Sequence, residues 1–333
     1  MDYDLSTVAF ACIYGLGMLF FTIAFLVDCI RLRRHLREYL AVGVVAGAIV
    51  IVIDVAATAL AGAVGVDFGF EVICCFLGDL LIFARVVGFA VLGMHYSALL
   101  RHPSFAILAW LRIERDWTVG SLPSPASQAV PLSAPAASER TTTTLEEPAA
   151  DAPSEQRDVP PEPWWTISPL HDSGWGPYLV DVTAVLLGMV AYSVVLFLLT
   201  RPTLADSLLT ASYTIPREVD VRVIAISLVV ALAYGFSEEV FFRLGIQRWL
   251  SRYLGKRLPP GRLQFWFPIG LSAFLWTLGH AGQLEPEWVK LAQIFPAGLA
   301  LGWLCERRGV ESTMIVHVVF NVVMVLLASS LIT

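Results

Sequence analysis

Long apolar runs, separated by short polar or basic stretches, recur along most of the 333 residues of this chain. Eight of these runs approach or exceed the ~20 residues that a helix needs to cross the hydrocarbon core of a bilayer. A segment in lipid must satisfy its own backbone hydrogen bonds, so each run predicts a transmembrane helix. The pattern therefore predicts an all-α polytopic membrane protein of about eight transmembrane helices. The runs are residues 8–27, 39–65, 68–99, 178–200, 221–250, 263–281, 289–305 and 312–332.

Lysine and arginine residues cluster at alternate ends of these predicted helices. Such clusters stay on the cytoplasmic side of a membrane protein. Every cluster is cytoplasmic if both termini lie outside and the segment between the third and fourth helices lies in the cytoplasm. We therefore expect a multi-pass integral membrane protein, in the cell membrane if the host is bacterial. The clusters contain Arg31, Arg33, Arg34, Arg37, Arg101, Arg112, Arg115, Arg248, Arg252, Lys256, Arg257, Arg262, Arg307 and Arg308.

The segment between the third and fourth predicted helices, residues 117–175, differs from the rest in composition. It is rich in proline, alanine and threonine and carries several acidic residues. Such a sequence buries too little apolar surface to offset the entropy of ordering it, so we expect a disordered cytoplasmic linker. The linker divides the chain into an N-terminal three-span membrane module, residues 1–116, and a C-terminal five-span module, residues 176–333.

The composition narrows the class of protein further. Apolar residues make up 57% of the chain, charged residues 15%, and the mean hydropathy is +0.70. Soluble domains are nearer half apolar and a quarter charged. The net charge of −6 gives no sign of a nucleic-acid partner, and membrane lipid is the expected surrounding. The five cysteines form no C-x-x-C pair, so we interpret them as free thiols.

The predicted fifth helix carries three charged side chains in an otherwise apolar run: Glu238, Glu239 and Arg243. A charged side chain at the centre of a bilayer costs about 2.5–3.5 kcal/mol, so these should face protein or a water-filled cavity. Glu239 and Arg243 are four residues apart and share a helical face, which predicts an ion pair. Glu238 lies about 100° round the helix and is left available for chemistry. The alternative is a buried structural ion pair beside an isolated carboxylate.

Three more polar residues interrupt the apolar background of the second half of the chain. His280 closes the sixth predicted helix, and His317 and Asn321 lie one turn apart on the eighth. Each alone could be a packing residue that hydrogen-bonds a neighbouring helix. With the charged residues of the fifth helix they supply a base, its partner and oxyanion donors, a set that suits peptide hydrolysis. The chain contains neither G-x-S-x-G nor H-E-x-x-H, the motifs of serine hydrolases and zincins.

The second and third predicted helices also carry charges, at Asp54, Asp79 and Arg85. We interpret these as an internal ion-pair set that ties the two helices together, since no other polar residues gather around them in sequence. The alternative is a proton or ion path through the membrane.

Three motifs in the second half resemble those of the CAAX-protease and bacteriocin-processing family of intramembrane proteases, also called type II CAAX prenyl endopeptidases. E-E-V-F-F-R at residues 238–243 resembles the family's E-E-x-x-x-R, W-T-L-G-H at 276–280 its F-x-x-x-H, and H-V-V-F-N at 317–321 its H-x-x-x-N. The resemblance covers about residues 225–327. It implies a protease domain in the C-terminal helix bundle and a membrane-associated peptide or protein substrate, including a prenylated CAAX-type peptide.

The resemblance also implies a catalytic role for each motif residue. Glu238 and His280 would activate a water molecule, and His317 and Asn321 would stabilise the oxyanion of the tetrahedral intermediate. Trp276 departs from the family's phenylalanine. It keeps an aromatic wall but adds bulk and an N–H that needs a hydrogen-bond partner.

The remaining two motif residues, Glu239 and Arg243, would pair to hold the helix geometry and to contact the substrate. No cofactor is expected. The family has been interpreted both as metal-independent glutamate enzymes and as metalloproteases. The alternative is therefore zinc or another divalent metal held by Glu238, His280 and His317.

Two other classes of protein compete with the protease hypothesis. A catalytically inactive scaffold, immunity or regulatory protein could keep the fold, although the presence of all six motif residues favours the enzyme. A transporter predicts paired halves with broken helices, and the two halves of this chain differ.

By residue counting, Glu238 lies near mid-membrane and His280 towards the outer end of its helix. The protease hypothesis therefore requires the sixth helix to tilt, start later or bend near Pro268.

Overall fold

A computed structural model of the chain describes residues 5–63, 72–100, 175–205 and 221–332. Apart from Trp175, the predicted linker lies outside these residues, and so do the side chains of Asp54 and Asp79. The domain boundaries and the proposed ion-pair set of the second and third helices therefore stay predictions.

The described residues are almost entirely helical, and helix lies within each of the eight predicted runs. The predicted all-α fold is confirmed. The helices are α1 (Leu5–Leu36), α2 (Leu40–Ala63), α3 (Val72–Leu100), α4 (Trp175–Thr200), α5 (Val221–Glu238), α6 (Arg248–Tyr253), α7 (Arg262–Leu278), α8 (Glu287–Arg308) and α9 (Val310–Leu331). A π-helix, Glu239–Gln247, joins α5 to α6, and 3-10 turns occur at Arg37–Tyr39 and Gly255–Arg257.

Five helices in the described part of the chain are long and apolar enough to cross a membrane. They support an integral membrane protein, while the count of eight spans stays a prediction. Leu40–Ile53 of α2 is a shorter apolar stretch, and the segment that follows α5 carries the charged side chains of the π-helix. The five candidate spans are Cys12–Leu36, Phe83–Leu100, Trp175–Thr200, Glu287–Arg308 and Val310–Ala328.

Burial separates the peripheral helices from the central ones. Only 17% of the candidate spans in α1 and α4 is buried within the protein, against 56% in α3 and 50% in α8. The outer faces expose large apolar side chains such as Leu16, Ile30 and Leu199. A soluble protein seldom exposes so much apolar surface, whereas a bilayer accommodates it.

A short β-ribbon was not predicted. Thr203–Leu204 (β1) pairs antiparallel with Leu284–Glu285 (β2), and it ties the end of α4 to the connection between α7 and α8. Strands of two residues carry no periodic signal, so hydrophobic pattern could not reveal them. Leu284 is buried there against Phe197 and Val289.

The N-terminal helices pack directly on the segment that carries the charged motif. A Cβ atom at Gly93 of α3 would lie 2.3 Å from the carbonyl oxygen of Leu244, and one at Gly245 would lie 2.5 Å from the ring of Phe89. Only glycine permits such an approach, as is common where membrane helices cross closely. The predicted N-terminal and C-terminal modules thus share one hydrophobic core.

Asp28 of α1 fastens the same two parts together. Its buried carboxylate accepts hydrogen bonds from the Tyr96 hydroxyl, from Trp249 Nε1 at 3.1 Å and from the Tyr253 hydroxyl at 3.0 Å. Tyr96 belongs to α3, whereas Trp249 and Tyr253 belong to α6, directly after the π-helix. One carboxylate therefore holds three donors from both modules, and bonds to a charged acceptor are stronger than neutral ones.

Replacing Asp28 by alanine should destabilise the fold by about 2–4 kcal/mol, because three donors lose a charged acceptor. Tyr253→Phe removes only one donor and should cost about 1 kcal/mol. Thermal unfolding in detergent would compare both variants with the wild type. Equal midpoints for Asp28→Ala and wild type would show that this carboxylate does not fasten the modules.

Candidate active site

The charged motif of the fifth predicted helix lies at the start of a π-helix. Every residue from Glu239 to Gln247 is buried and follows the i→i+5 hydrogen-bond pattern. The wider turn leaves backbone groups to be satisfied from outside, and the Ser272 hydroxyl of α7 donates to the carbonyl of Phe242 at 2.8 Å. Such π segments are rare and are frequent at functional sites. Sequence periodicity predicted a helix here but not its winding.

The far end of the π-helix is anchored on α8. Gln247 Nε2 donates to Glu306 Oε1 at 2.6 Å and to the carbonyl of Gly302 at 3.1 Å. Arg248 forms an ion pair with the same Glu306. All three side chains are buried. The network fixes the rotation of the π-helix and thereby the direction in which its first residues point.

Glu239 lies between two partners at the centre of the bundle. Arg243 Nε is 3.4 Å from Glu239 Oε2, and His317 Nδ1 is 2.8 Å from Glu239 Oε1. The predicted ion pair is therefore present, and His317 is a second partner that sequence spacing could not reveal. An ionised carboxylate only accepts hydrogen bonds, so His317 Nδ1 must carry the proton. This bond orients the imidazole and turns Nε2 towards Glu238, 3.8 Å away.

Glu238 is the more accessible of the two glutamates. Its side chain is 23% exposed, whereas that of Glu239 is 1% exposed. Glu238 Oε2 accepts a hydrogen bond from Trp276 Nε1 at 2.7 Å. The indole N–H that sequence analysis left in need of a partner thus orients this carboxylate, and Glu238 can still be reached by water or substrate.

His280 lies in the turn that follows α7. Its Nδ1 is 2.9 Å from the carbonyl oxygen of Trp276, and the Trp276 and His280 rings are 5.1 Å apart. A carbonyl oxygen only accepts, so Nδ1 carries the proton, and Nε2 of the neutral imidazole keeps its lone pair. Nε2 is therefore able to take a proton.

Trp276 connects the members of this cluster. Its ring lies 5.2 Å from the His317 ring and 5.2 Å from Arg243 Cζ, in addition to its contacts with Glu238 and His280. One indole therefore contacts both Glu238 and His280, the two residues that residue counting placed at different depths. A Cβ atom at Gly298 of α8 would lie 3.1 Å from this indole, so a small residue there leaves room for the larger tryptophan.

Residues 220–323 match the family model described as Rce1-like type II CAAX prenyl endopeptidase. The match confirms, over this region, the resemblance that the three motifs indicated, and it includes all six motif residues. No curated protein and no solved structure gives a match to the chain. Helices α1 to α4 lie outside the matched region.

Within the Rce1-like region, Asn321 stands apart from the other five motif residues. It is half-buried one turn beyond His317 on α9. None of the side-chain contacts in the described part of the chain joins it to the cluster. Its predicted role at the oxyanion is therefore the one for which the geometry offers least support.

The metal alternative, in which Glu238, His280 and His317 are the ligands, stays a prediction. Among the described residues, no group of three or more histidine, cysteine, aspartate or glutamate side chains could hold a metal ion. His280 Nδ1 and His317 Nδ1 are already engaged with Trp276 and Glu239. The two Nε2 atoms and the Glu238 carboxylate are the groups of this set that remain for a metal.

Lys290 was missed by the sequence analysis. It lies at the start of α8, donates to Gln293 Oε1 at 3.2 Å, and interacts electrostatically with both Glu238 and His280. Its only signal in the sequence is a lysine near the beginning of an apolar run. The fold brings this lysine within electrostatic reach of the cluster.

The Glu239–Arg243 pair yields a testable prediction. Arg243→Met should destabilise the protein by about 3–5 kcal/mol, because a buried carboxylate loses its counter-charge. Glu239→Gln should also destabilise, while the double variant should lose less than the sum of the two. Thermal unfolding of the four proteins measures the coupling.

Arg257→Met, at an exposed position outside the bundle, is the matched control and should change stability by less than about 0.5 kcal/mol. Additive losses in the double-variant cycle would mean that the two side chains act independently.

Proposed function

We propose that this protein is an intramembrane endopeptidase in which Glu238 and His280 activate a water molecule for attack on a peptide bond. The Rce1-like match supports a peptidase of the CAAX type in a membrane. The observation that carries the mechanism is the arrangement around Trp276. Its indole orients the accessible Glu238 carboxylate, and its carbonyl oxygen accepts from Nδ1 of His280, so that Nε2 keeps its lone pair.

The reaction requires a base, an oxyanion partner and an acid in turn. Water bound between Glu238 and His280 would lose a proton to one of them as its oxygen attacks the substrate carbonyl carbon. The carbonyl oxygen then becomes an oxyanion, which His317 Nε2 (when protonated) and the Asn321 amide would stabilise. The proton taken from water would next be given to the departing amine as the peptide C–N bond breaks.

Glu239 and Arg243 have a supporting role in this proposal. Glu239 accepts from His317 Nδ1 and so fixes the imidazole orientation, as carboxylates do for histidines at many catalytic sites. Arg243 balances the charge of Glu239 at the buried end of the cluster. Neither side chain is exposed.

The substrate would be a membrane-associated peptide or protein. The family description suggests a prenylated CAAX-type peptide, and the apolar outer surface of α1 and α4 would let a lipid-modified substrate approach from within the bilayer. The basic clusters support an orientation with the linker in the cytoplasm and both termini outside. An inactive scaffold with the same fold is the competing function.

Glu238→Gln and His280→Ala should each lower peptide cleavage by about 10²–10⁴-fold, because each removes a proton-transfer group. Purified protein in lipid vesicles would be assayed with a panel of fluorogenic peptides, prenylated and unmodified. Glu285→Gln, an exposed carboxylate on the β-ribbon, is the matched control and should retain full activity.

A chelator added to the wild type distinguishes metal-independent hydrolysis from the alternative in which a metal is required. Unchanged cleavage supports metal-independent hydrolysis, and lost cleavage that zinc restores supports the metal alternative. Wild-type activity in Glu238→Gln would contradict the proposed role of this residue. Folded wild-type protein that cleaves no peptide of the panel would favour the scaffold.

Trp276→Phe restores the residue of the family motif and removes the indole N–H together with part of the ring. An aromatic ring stays in place, so the fold should persist, while kcat should fall by about tenfold because Glu238 loses the donor that orients it. Trp288→Phe, at an exposed position of α8, is the matched control. Equal kcat values for wild type and Trp276→Phe would show that the N–H does not orient the catalytic carboxylate.

A further inference from the structure

Lys290 lies in the first turn of α8. A lysine at the end of a membrane helix commonly extends its ammonium to the interface with water. Lys290 instead donates to Gln293 Oε1 at 3.2 Å, and Gln293 lies about one turn deeper in the helix and is only 2% exposed. The ammonium is therefore held towards the interior of the bundle. A cation in the first turn does not stabilise a helix, so this position calls for another explanation.

The packing of α7 against α8 fixes the level at which Lys290 lies. A Cβ atom at Gly302 would lie 2.6 Å from the side chain of Ile269, and one at Gly298 would lie 2.9 Å from that of Ala273. The two helices therefore run antiparallel, and four residues back along α8 correspond to four residues forward along α7. Two more such steps bring Lys290 level with the turn that follows α7.

That turn carries His280 and is held against the start of α8. The Gly282 N–H donates to Glu287 Oε1 at 3.0 Å, and Lys290 follows Glu287 by about one turn on the same helical face. Lys290 also interacts electrostatically with both His280 and Glu238. Helix register, the Glu287 contact and charge thus agree that the ammonium lies beside the two groups proposed to activate water.

Lys290 does not act as the counter-ion of a carboxylate in direct contact. Among the described residues, the ion pairs within 4.0 Å do not include Lys290. An ammonium carries three N–H donors, and the Gln293 amide oxygen engages one of them. A cation anchored in this way beside a site of proton transfer suits an anion that forms only during the reaction.

We propose that Lys290 donates a hydrogen bond to the oxyanion that forms when water attacks the substrate peptide bond. This inference rests on the proposed peptidase function. As the water oxygen bonds to the carbonyl carbon, its proton passes to Glu238 or His280, and the carbonyl electron pair moves onto the carbonyl oxygen. Lys290 binds that oxygen and keeps its own proton. The C–N bond then breaks, and the departing amine takes the proton from the base.

The donors to the oxyanion would then come from two helices. Lys290 approaches from α8, and His317 Nε2, which lies 3.8 Å from Glu238 Oε2, approaches from α9. The side-chain contacts of the described residues do not join Asn321 to the cluster, so Lys290 supplies the second donor that the resemblance assigned to Asn321.

Lys290→Met removes the ammonium and should lower kcat by about 10²–10³-fold, the loss expected for one oxyanion donor. KM should change by less than about threefold, because the interaction is made only in the transition state. Lys290→Arg keeps a charged donor and should recover part of the loss. Cleavage of a fluorogenic peptide by the protein in lipid vesicles measures both constants.

The same substitution at the other lysine of the chain is the matched control. Lys256 lies in the 3-10 turn before α7, at the opposite end of that helix from His280, and Lys256→Met should leave kcat unchanged. Thermal unfolding shows whether each variant is folded. If Lys290→Met is not, Gln293→Leu decides, since it keeps the charge but removes its anchor and should lower kcat about tenfold. Unchanged kcat in folded Gln293→Leu would then contradict the proposal.

A phosphinic peptide, whose tetrahedral anion resembles the oxyanion, tests the interaction without turnover. Its affinity should fall in Lys290→Met by about the same factor as kcat/KM. The uncleaved peptide should bind equally to Glu238→Gln and to Glu238→Gln/Lys290→Met, because its carbonyl is neutral. A purely structural role for Lys290 would weaken the binding of both ligands alike and would overturn the proposal.

The outcomes separate this inference from the proposed function. Cleavage by the wild type, with equal kcat and equal phosphinic-peptide binding in Lys290→Met, would retain the peptidase and remove the oxyanion role of the lysine. If no peptide is cleaved, phosphinic-peptide binding that is lost in Lys290→Met still supports the anion donor. A wild type that neither cleaves the peptide nor binds the phosphinic peptide would contradict both.

Discussion

The pairing of Glu239 with both Arg243 and His317 is the interaction on which the rest of the site depends. A carboxylate buried in a helix bundle needs its charge compensated on the spot, because neither water nor lipid can do so. Here one oxygen faces a guanidinium and the other accepts from an imidazole. The contact with His317 also joins the π-helix to α9 and sets the direction of His317 Nε2. Charge compensation and the alignment of the proposed catalytic groups are therefore one structural requirement.

Tight helix packing makes that alignment possible. Glycines at the crossings of α3 with the π-helix and of α7 with α8 let backbones approach until side chains from separate helices meet. Trp276 occupies the space that Gly298 leaves on α8, and it contacts Glu238, His280 and His317. As a result, Glu239 is buried and its charge is balanced, whereas the adjacent Glu238 is partly exposed. Such a difference in environment is what allows two adjacent carboxylates to take different roles.

The N-terminal helices belong to this arrangement although the family match does not reach them. Asp28 holds donors on α3 and α6, and Gly93 brings α3 against the π-helix. The N-terminal helices thus pack directly against the segment that carries the site. In the proposed function this position would let them select substrates, while the Rce1-like region carries out the hydrolysis. An inactive scaffold would keep the same helix packing without needing the accessible Glu238.

Apolar run lengths alone predicted the all-α membrane fold and the positions of its helices, because a bilayer requires long apolar segments whatever their neighbours are. The four-residue spacing of Glu239 and Arg243 likewise predicted their pair, since that contact is local to one helix. The π winding, the Glu239–His317 bond and the contact of Trp276 with Glu238 were decided only by tertiary structure. Each joins residues distant in sequence or depends on backbone groups satisfied from another helix, and no spacing along the chain encodes such contacts.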